Sequence, residues 1–297
     1  MAEASFSRIT VDLRVAEKLV LGFLAYAAFG SIVFSLSTRE RLTVIGLNLI
    51  TSSVVLLLNQ RAVRKPGSLL AAIRDWLPCV LILVAYRESG FFFTPDHTHR
   101  LDYLFLSADQ SLFSNHWVLG LLSAGAPWLQ WYLEFSYFLC YPLVPLGLGC
   151  LSLAVHHKPF KDADAGRVID RFWTSVLLAV LFCYIVYPLF PLTPPRTLFR
   201  DFPGPPIQPL FRKLNIWVLG QYAVPACIFP SGHVAAVSAT ALAVRAYLPR
   251  IGIAFLVAAV SVAAATVYGR YHYTADALTG ALVGLAAFLV TRRIFKA

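Results

Sequence analysis

Apolar runs of about twenty residues recur along this chain, and that length leaves few folds open. A helix needs about 20 apolar residues to cross a hydrocarbon core of roughly 30 Å. Membrane-spanning strands would alternate polar and apolar positions, and no such alternation is seen. Of the 297 residues, 58% are hydrophobic and only 13% charged, against about 25% charged in a typical soluble domain. The expected fold is all-α, a polytopic transmembrane helix bundle of about eight spans. The spans are read at Leu19–Leu36, Leu42–Leu58, Leu69–Tyr86, Leu133–Val155, Trp173–Phe190, Val234–Leu248, Ile251–Tyr268 and Ala275–Val290. The shorter apolar piece Phe113–Ala126 reads as interfacial or re-entrant, and the proline-rich connection Pro191–Phe229 as largely non-helical. Residues 1–100 are read as N-terminal transmembrane helices and 101–297 as the core that carries the chemistry, together one integrated membrane domain.

The net charge of +10 does not point to nucleic acid, because the basic residues lie in ones and twos between spans. Following eight spans from the N-terminus places 16 of the 25 Lys and Arg on the N-terminal side and nine on the other. That asymmetry predicts both termini in the cytoplasm. The five cysteines show neither zinc nor redox spacing and read as small buried hydrophobes.

Three segments fall on the non-cytoplasmic side in this scheme. Pro230-Ser231-Gly232-His233 opens an apolar helix, where unpaired N–H groups and the positive end of the dipole suit a phosphate. Gly232 permits close backbone approach, and His233 is able to protonate a leaving oxygen. In Arg270-Tyr271-His272-Tyr273-Thr274-Ala275-Asp276, the four-residue step from His272 to Asp276 predicts one shared helix face. A carboxylate there fixes the imidazole tautomer and leaves the other nitrogen free to attack. Arg196 follows Pro194-Pro195, which stiffen its approach, and its planar fork of donors suits phosphate oxygens.

The order Pro-Pro-Arg, Pro-Ser-Gly-His, His-Tyr-x-x-Asp resembles the type-2 phosphatidic acid phosphatase superfamily, over roughly 102–289. The Pro-Pro-Arg and Arg-Tyr-His-Tyr variants look most like its inositol phosphorylceramide synthase branch. The resemblance implies His272 as phosphate-accepting nucleophile, Asp276 as its orienting acid and His233 as acid/base. It implies Arg196, Arg270, Ser231 and the Gly232 amide as phosphate ligands, with no metal or cofactor. The expected substrate is a lipid phosphate or phospholipid taken from the bilayer. Water as acceptor makes a phosphatase and an alcohol a phosphotransferase; a non-enzymatic lipid-binding or transport protein is the third reading. Two positions depart from the family pattern: Leu189 replaces a lysine and Thr266 an arginine. If the seventh span stays helical to Arg270, that guanidinium leans back over the missing one. Arg200, Arg212 and Lys213 read as solvated or headgroup-facing charges. Tyr86-Arg87-Glu88 reads as a headgroup contact or an interfacial ion pair, and Asp102, Asp109 and His116 as structural.

Overall fold

The computed structural model describes residues 12–64, 67–94, 98–113, 127–155, 164–198, 207–224 and 229–296. Among them regular structure is helical throughout: α1 (Val15–Val33), α2 (Thr38–Arg64), α3 (Leu69–Ser89), α4 (Arg100–Phe113), α5 (Pro127–Phe138), α6 (Leu143–Ala154) and α7 (Ala165–Val186). A single helical turn, Pro195–Leu198, precedes α8 (Leu210–Tyr222), α9 (Gly232–Tyr247), α10 (Pro249–Tyr268) and α11 (Thr274–Ile294). Among the described residues, six helical stretches, over α1, α2, α3, α7, α10 and α11, are long and apolar enough to cross a membrane. The pair α5 and α6 makes a seventh if taken as one broken span.

Two of the eight expected spans therefore come out differently. Leu133–Val155 is not one straight helix, since α5 and α6 bend by 66° at their junction. Pro142 stands at the break, where it removes a backbone donor and disfavours helix in the preceding residue. The apolar run at Val234–Leu248 forms α9, which has 16 residues. At 1.5 Å per residue that is roughly 24 Å, less than a bilayer core. Pro249 ends it by starting α10. Hydropathy does not separate a helix buried in protein from one facing lipid, and α9 is of the first kind: α6, α7, α10 and α11 all pack on it. Apart from Phe113, the piece 113–126 lies outside the described residues.

Small residues let α11 approach α9 closely. A Cβ at Gly280 would lie 2.5 Å from the Ser231 carbonyl oxygen, and one at Gly284 would lie 2.7 Å from that of Ala235. The four-residue spacing of these glycines puts both on one face, the small-xxx-small pattern of close helix pairs. Gly280→Val is expected to cost on the order of 1–3 kcal/mol through overpacking, read as a lower melting temperature in detergent. Gly22→Val, where nothing lies within 4 Å, is the control and should leave the melting temperature near that of the wild type.

At the opposite end of the bundle, the N-terminal ends of α1, α3 and α7 are tied by charge. Arg14 pairs with Asp75 and Arg74 with Glu17, while Asp170 accepts from the N–H groups of Val15 and Ala16 at 3.1 and 2.9 Å. These pairs explain the charges that crowd the start of the third span: they are satisfied across helices rather than by water. At the other end of α3, Arg87 donates to the Tyr222 carbonyl at 3.4 Å. Glu88 is fully buried, and its carboxylate has no hydrogen-bond partner among the described residues, so of the two readings of Tyr86-Arg87-Glu88 the ion pair is not formed between Arg87 and Glu88.

Candidate active site

Pro230-Ser231-Gly232-His233 starts α9. Ser231 is the N-cap, its Oγ accepting from Val234 N–H at 3.4 Å. The Gly232 N–H donates to Tyr187 Oη at 3.3 Å, and a Cβ there would meet that oxygen at 2.7 Å, so a side chain at 232 would displace the Tyr187 hydroxyl. His233 follows in the first turn, with its ring centroid about 6 Å from those of Tyr137 and Tyr141 (6.0 and 5.9 Å) and 6.0 Å from that of His272.

The second motif is a turn between helices and not a helix face. α10 ends at Tyr268 with Gly269 as C-cap, and Arg270 takes a left-handed φ of 59°. Arg270 N–H donates to the Val267 carbonyl, and Tyr271 and His272 N–H donate to that of Thr266 (2.9, 2.9 and 3.0 Å). This is the Schellman ending of a helix, with arginine where glycine is usual. The expectation that α10 continues to Arg270 is thus corrected, and with it the idea of a side chain leaning back along the helix. His272 likewise precedes α11: Tyr273 is the N-cap and Asp276 the third helical residue, accepting from Tyr273 N–H at 3.0 Å. The capping turn, rather than an i,i+4 face, brings His272 Nδ1 to 3.6 Å from Asp276 Oδ2.

The two motifs lock together. Ser231 N–H donates to the Asp276 carbonyl at 3.1 Å, and Ser231 Oγ lies 3.3 Å from His272 Nε2. Asp276 is fully buried and His272 only 6% exposed. Two acids that read as structural hold the start of α11 from α4. Asp109 accepts from Thr274 N–H at 3.1 Å, and Asp102 accepts from Tyr273 Oη and Thr193 N–H at 3.2 and 2.8 Å. Burial raises the Asp109 pKa, while its bonds from Thr274 act to lower it.

Arg196 joins through the backbone. Its N–H donates to the Arg270 carbonyl at 3.0 Å, and Arg270 Nη2 donates to the Pro195 carbonyl at 3.3 Å. The Arg196 guanidinium stands 5.6 Å from the Tyr271 ring centroid, with no carboxylate at ion-pair distance among the described residues. Of the positions that depart from the family pattern, Leu189 is 67% exposed, and Thr266 is buried and contributes its carbonyl to the turn.

Arg212 is the clearest correction to the sequence reading. Far from being solvated, it is 7% exposed, donating to Glu134 Oε1 at 3.1 Å and to the Gly269 carbonyl at 2.8 Å. Glu134 Oε2 accepts from Asn215 at 3.0 Å and from Tyr271 Oη at 2.7 Å. Burial holds the Tyr271 phenol well above its usual range, so at neutral pH the phenol is the donor. Tyr137 stacks on Tyr271 at 3.8 Å. Glu134, Tyr137, Tyr141, Tyr187 and Asn215 were not singled out from sequence. Glu134 carries a legible signal, an acid inside an apolar run, where charge survives only with partners. Arg200 lies outside the described residues, as do His97, His116, His156 and His157.

The assembled site has two imidazoles, a buried carboxylate, a serine hydroxyl at a helix N-terminus and two arginines, Arg196 and Arg270, on two turns that bond to each other. Such a set suits a tetrahedral oxyanion: cations and N–H groups neutralise it, and an imidazole nitrogen is available to the central atom. Residues 171–297 match the family model described as the PAP2 superfamily, a stretch that runs from α7 through α11 and includes Arg196 and both histidine segments. Comparison with curated proteins and with solved structures gives no match.

Proposed function

We propose that this protein is an integral membrane lipid-phosphate phosphatase working through a phosphohistidine, with residues 101–297 as its catalytic unit. The observation that carries the reading is the placement of His272 between Ser231 Oγ at Nε2 (3.3 Å) and Asp276 Oδ2 at Nδ1 (3.6 Å), with His233 as its neighbour. The PAP2 superfamily domain over 171–297 supports the same class of phosphoric-ester chemistry. The Asp276 charge, 3.6 Å away, favours the proton on Nδ1, and Nε2 exchanges its contact with Ser231 Oγ for phosphorus. Nε2 attacks in line, the N–P bond forms and the P–O bond to the lipid breaks. With the negative phosphate beside it, His233 carries a proton and gives it to the departing oxygen. Neutral His233 then takes a proton from water as water attacks phosphorus, the N–P bond breaks, and inorganic phosphate leaves. In this reading Arg196, Arg270 and Ser231 bind the phosphate oxygens, and the Gly232 N–H joins them by exchanging its bond to Tyr187 Oη for a phosphate oxygen. In this reading the site faces away from the cytoplasm and both termini face into it, by the distribution of Lys and Arg over eight crossings, which counts the broken pair α5–α6 and the short α9 as one crossing each.

The test is turnover of phosphatidic acid by the full chain in detergent, with and without an added alcohol. Inorganic phosphate released at the same rate in both conditions is the expected result. A product that retains the phosphate on the alcohol, with little free phosphate, makes the protein a phosphotransferase of the inositol phosphorylceramide synthase kind. Lipid binding without any turnover makes it a lipid-binding protein.

Arg270→Gly separates phosphate binding from folding. Glycine fits the left-handed φ of 59° better than any L side chain, so the turn should hold and the melting temperature stay equal or rise. Loss of the guanidinium should lower kcat/KM by about 10–100-fold. Unchanged turnover removes Arg270 from the phosphate site.

A further inference from the structure

The buried group behind the histidine turn joins three separate pieces of chain through one carboxylate. Glu134, on α5, is 1% exposed and takes Arg212 and Asn215 from α8 and Tyr271 from the turn itself. Arg212 reaches past Glu134 to the Gly269 carbonyl, the C-cap of α10. The turn is therefore gripped at Gly269 and at Tyr271, and the residue after Tyr271 is His272. The Tyr271 ring is further confined by Tyr137 stacked at 3.8 Å and by the Arg212 guanidinium 4.9 Å from its centroid. Arg212 and Tyr271 direct their donors at Glu134 and at the Gly269 carbonyl. Arg212 has its charge opposed by Glu134, unlike Arg196.

We propose that Glu134, Arg212 and Tyr271 form a positioning clamp that sets the angle and reach of the His272 imidazole, an inference that rests on the phosphohistidine reading above. The backbone bonds of this capping turn fix its main chain but not its side chains. Its side chains must be held from outside if a nitrogen is to meet phosphorus in line. Arg212 and Tyr271 supply fixed points on either side of Arg270, and Glu134 makes them one unit. A displacement of about 1 Å in a reacting group costs up to roughly 100-fold in rate. Because the clamp does not contact the substrate, its loss should lower kcat and leave KM nearly unchanged.

The experiment uses the full chain in detergent, phosphatidic acid as substrate, and the variants Tyr271→Phe, Glu134→Gln and the two combined. Histidine labelled with carbon-13 provides a second readout, with the His272 resonance assigned by its absence in His272→Gln. Tyr271→Phe keeps the stacked ring and removes one hydrogen bond, so it tests the clamp even if Glu134→Gln fails to fold. Expected are a kcat lowered about 5–10-fold in Tyr271→Phe with KM within about twofold, and a shifted or broadened His272 resonance. The combined variant should be no worse than Glu134→Gln alone, since both break the same link. Tyr271→Phe with wild-type kcat and an unmoved His272 resonance overturns the clamp, as do losses that simply multiply. If the wild type turns over no lipid phosphate, the phosphatase reading fails, and the His272 resonance still decides whether Tyr271 sets the position of this ring.

Discussion

His272→Ala is expected to stop turnover of lipid phosphates, by roughly 10⁴-fold or more, because without the nucleophile no bond to phosphorus forms in the first step. The loss should appear in kcat and in the labelling of the protein: brief mixing of wild type with radiolabelled substrate leaves acid-labile, base-stable label, and the variant leaves none. Ala also removes the neighbour of Asp276 Oδ2, which lies 3.6 Å from the imidazole and is fully buried. His272→Gln is therefore the companion variant, keeping volume and a polar atom where alanine opens a cavity beside a carboxylate. Both variants should still bind lipid phosphate, since Arg196, Arg270 and the α9 N-terminus are intact. Turnover above about 1% of wild type in a folded His272→Gln variant would remove His272 from the nucleophile's role.

Asp276→Asn should lower kcat by about 10²–10⁴-fold while the protein stays folded. The substitution is nearly isosteric and leaves the local architecture in place. The amide oxygen still accepts from Tyr273 N–H, and the main-chain carbonyl still accepts from Ser231 N–H. What changes is the charge facing His272 Nδ1: the amide oxygen in the place of Oδ2 favours the Nδ1 proton more weakly and no longer offsets the positive charge the ring gains as Nε2 bonds to phosphorus. A buried carboxylate exchanged for an amide also sheds a desolvation cost, so the melting temperature is expected to hold or rise. Activity and stability moving in opposite directions identify a group retained for chemistry. A parallel fall in both would make Asp276 a structural residue.

The positions where sequence and structure diverge share one cause. The His272–Asp276 spacing suggests a helix face, yet the contact arises in a capping turn, because Tyr273 is extended (φ −74°, ψ 158°) and starts α11 after the histidine. Arg270 sits four residues after Thr266, which looks like one helical turn, but the chain leaves the helix at Gly269 and turns left-handed at Arg270. Arginine gives no composition signal for that conformation, where glycine would have announced it. Arg212 is in a loop-like stretch with Lys213 and reads as solvated. Only the approach of α8 to α5 shows that one of the two basic neighbours is turned inward, with Lys213 exposed.

The apolar run length by itself determines a multi-helix membrane protein, because a hydrocarbon core of fixed thickness admits few other solutions for a backbone that must satisfy its own polar groups. The histidine and arginine motifs are equally local, being fixed by residue identity and short spacing. What the tertiary structure decided is which polar groups go inside and with whom. Glu134 meets Arg212 across 78 positions and Tyr271 across 137, and a buried charge is tolerable only where such a partner arrives. No window on the sequence spans those separations, so the support behind the histidine turn emerges only when the helices pack.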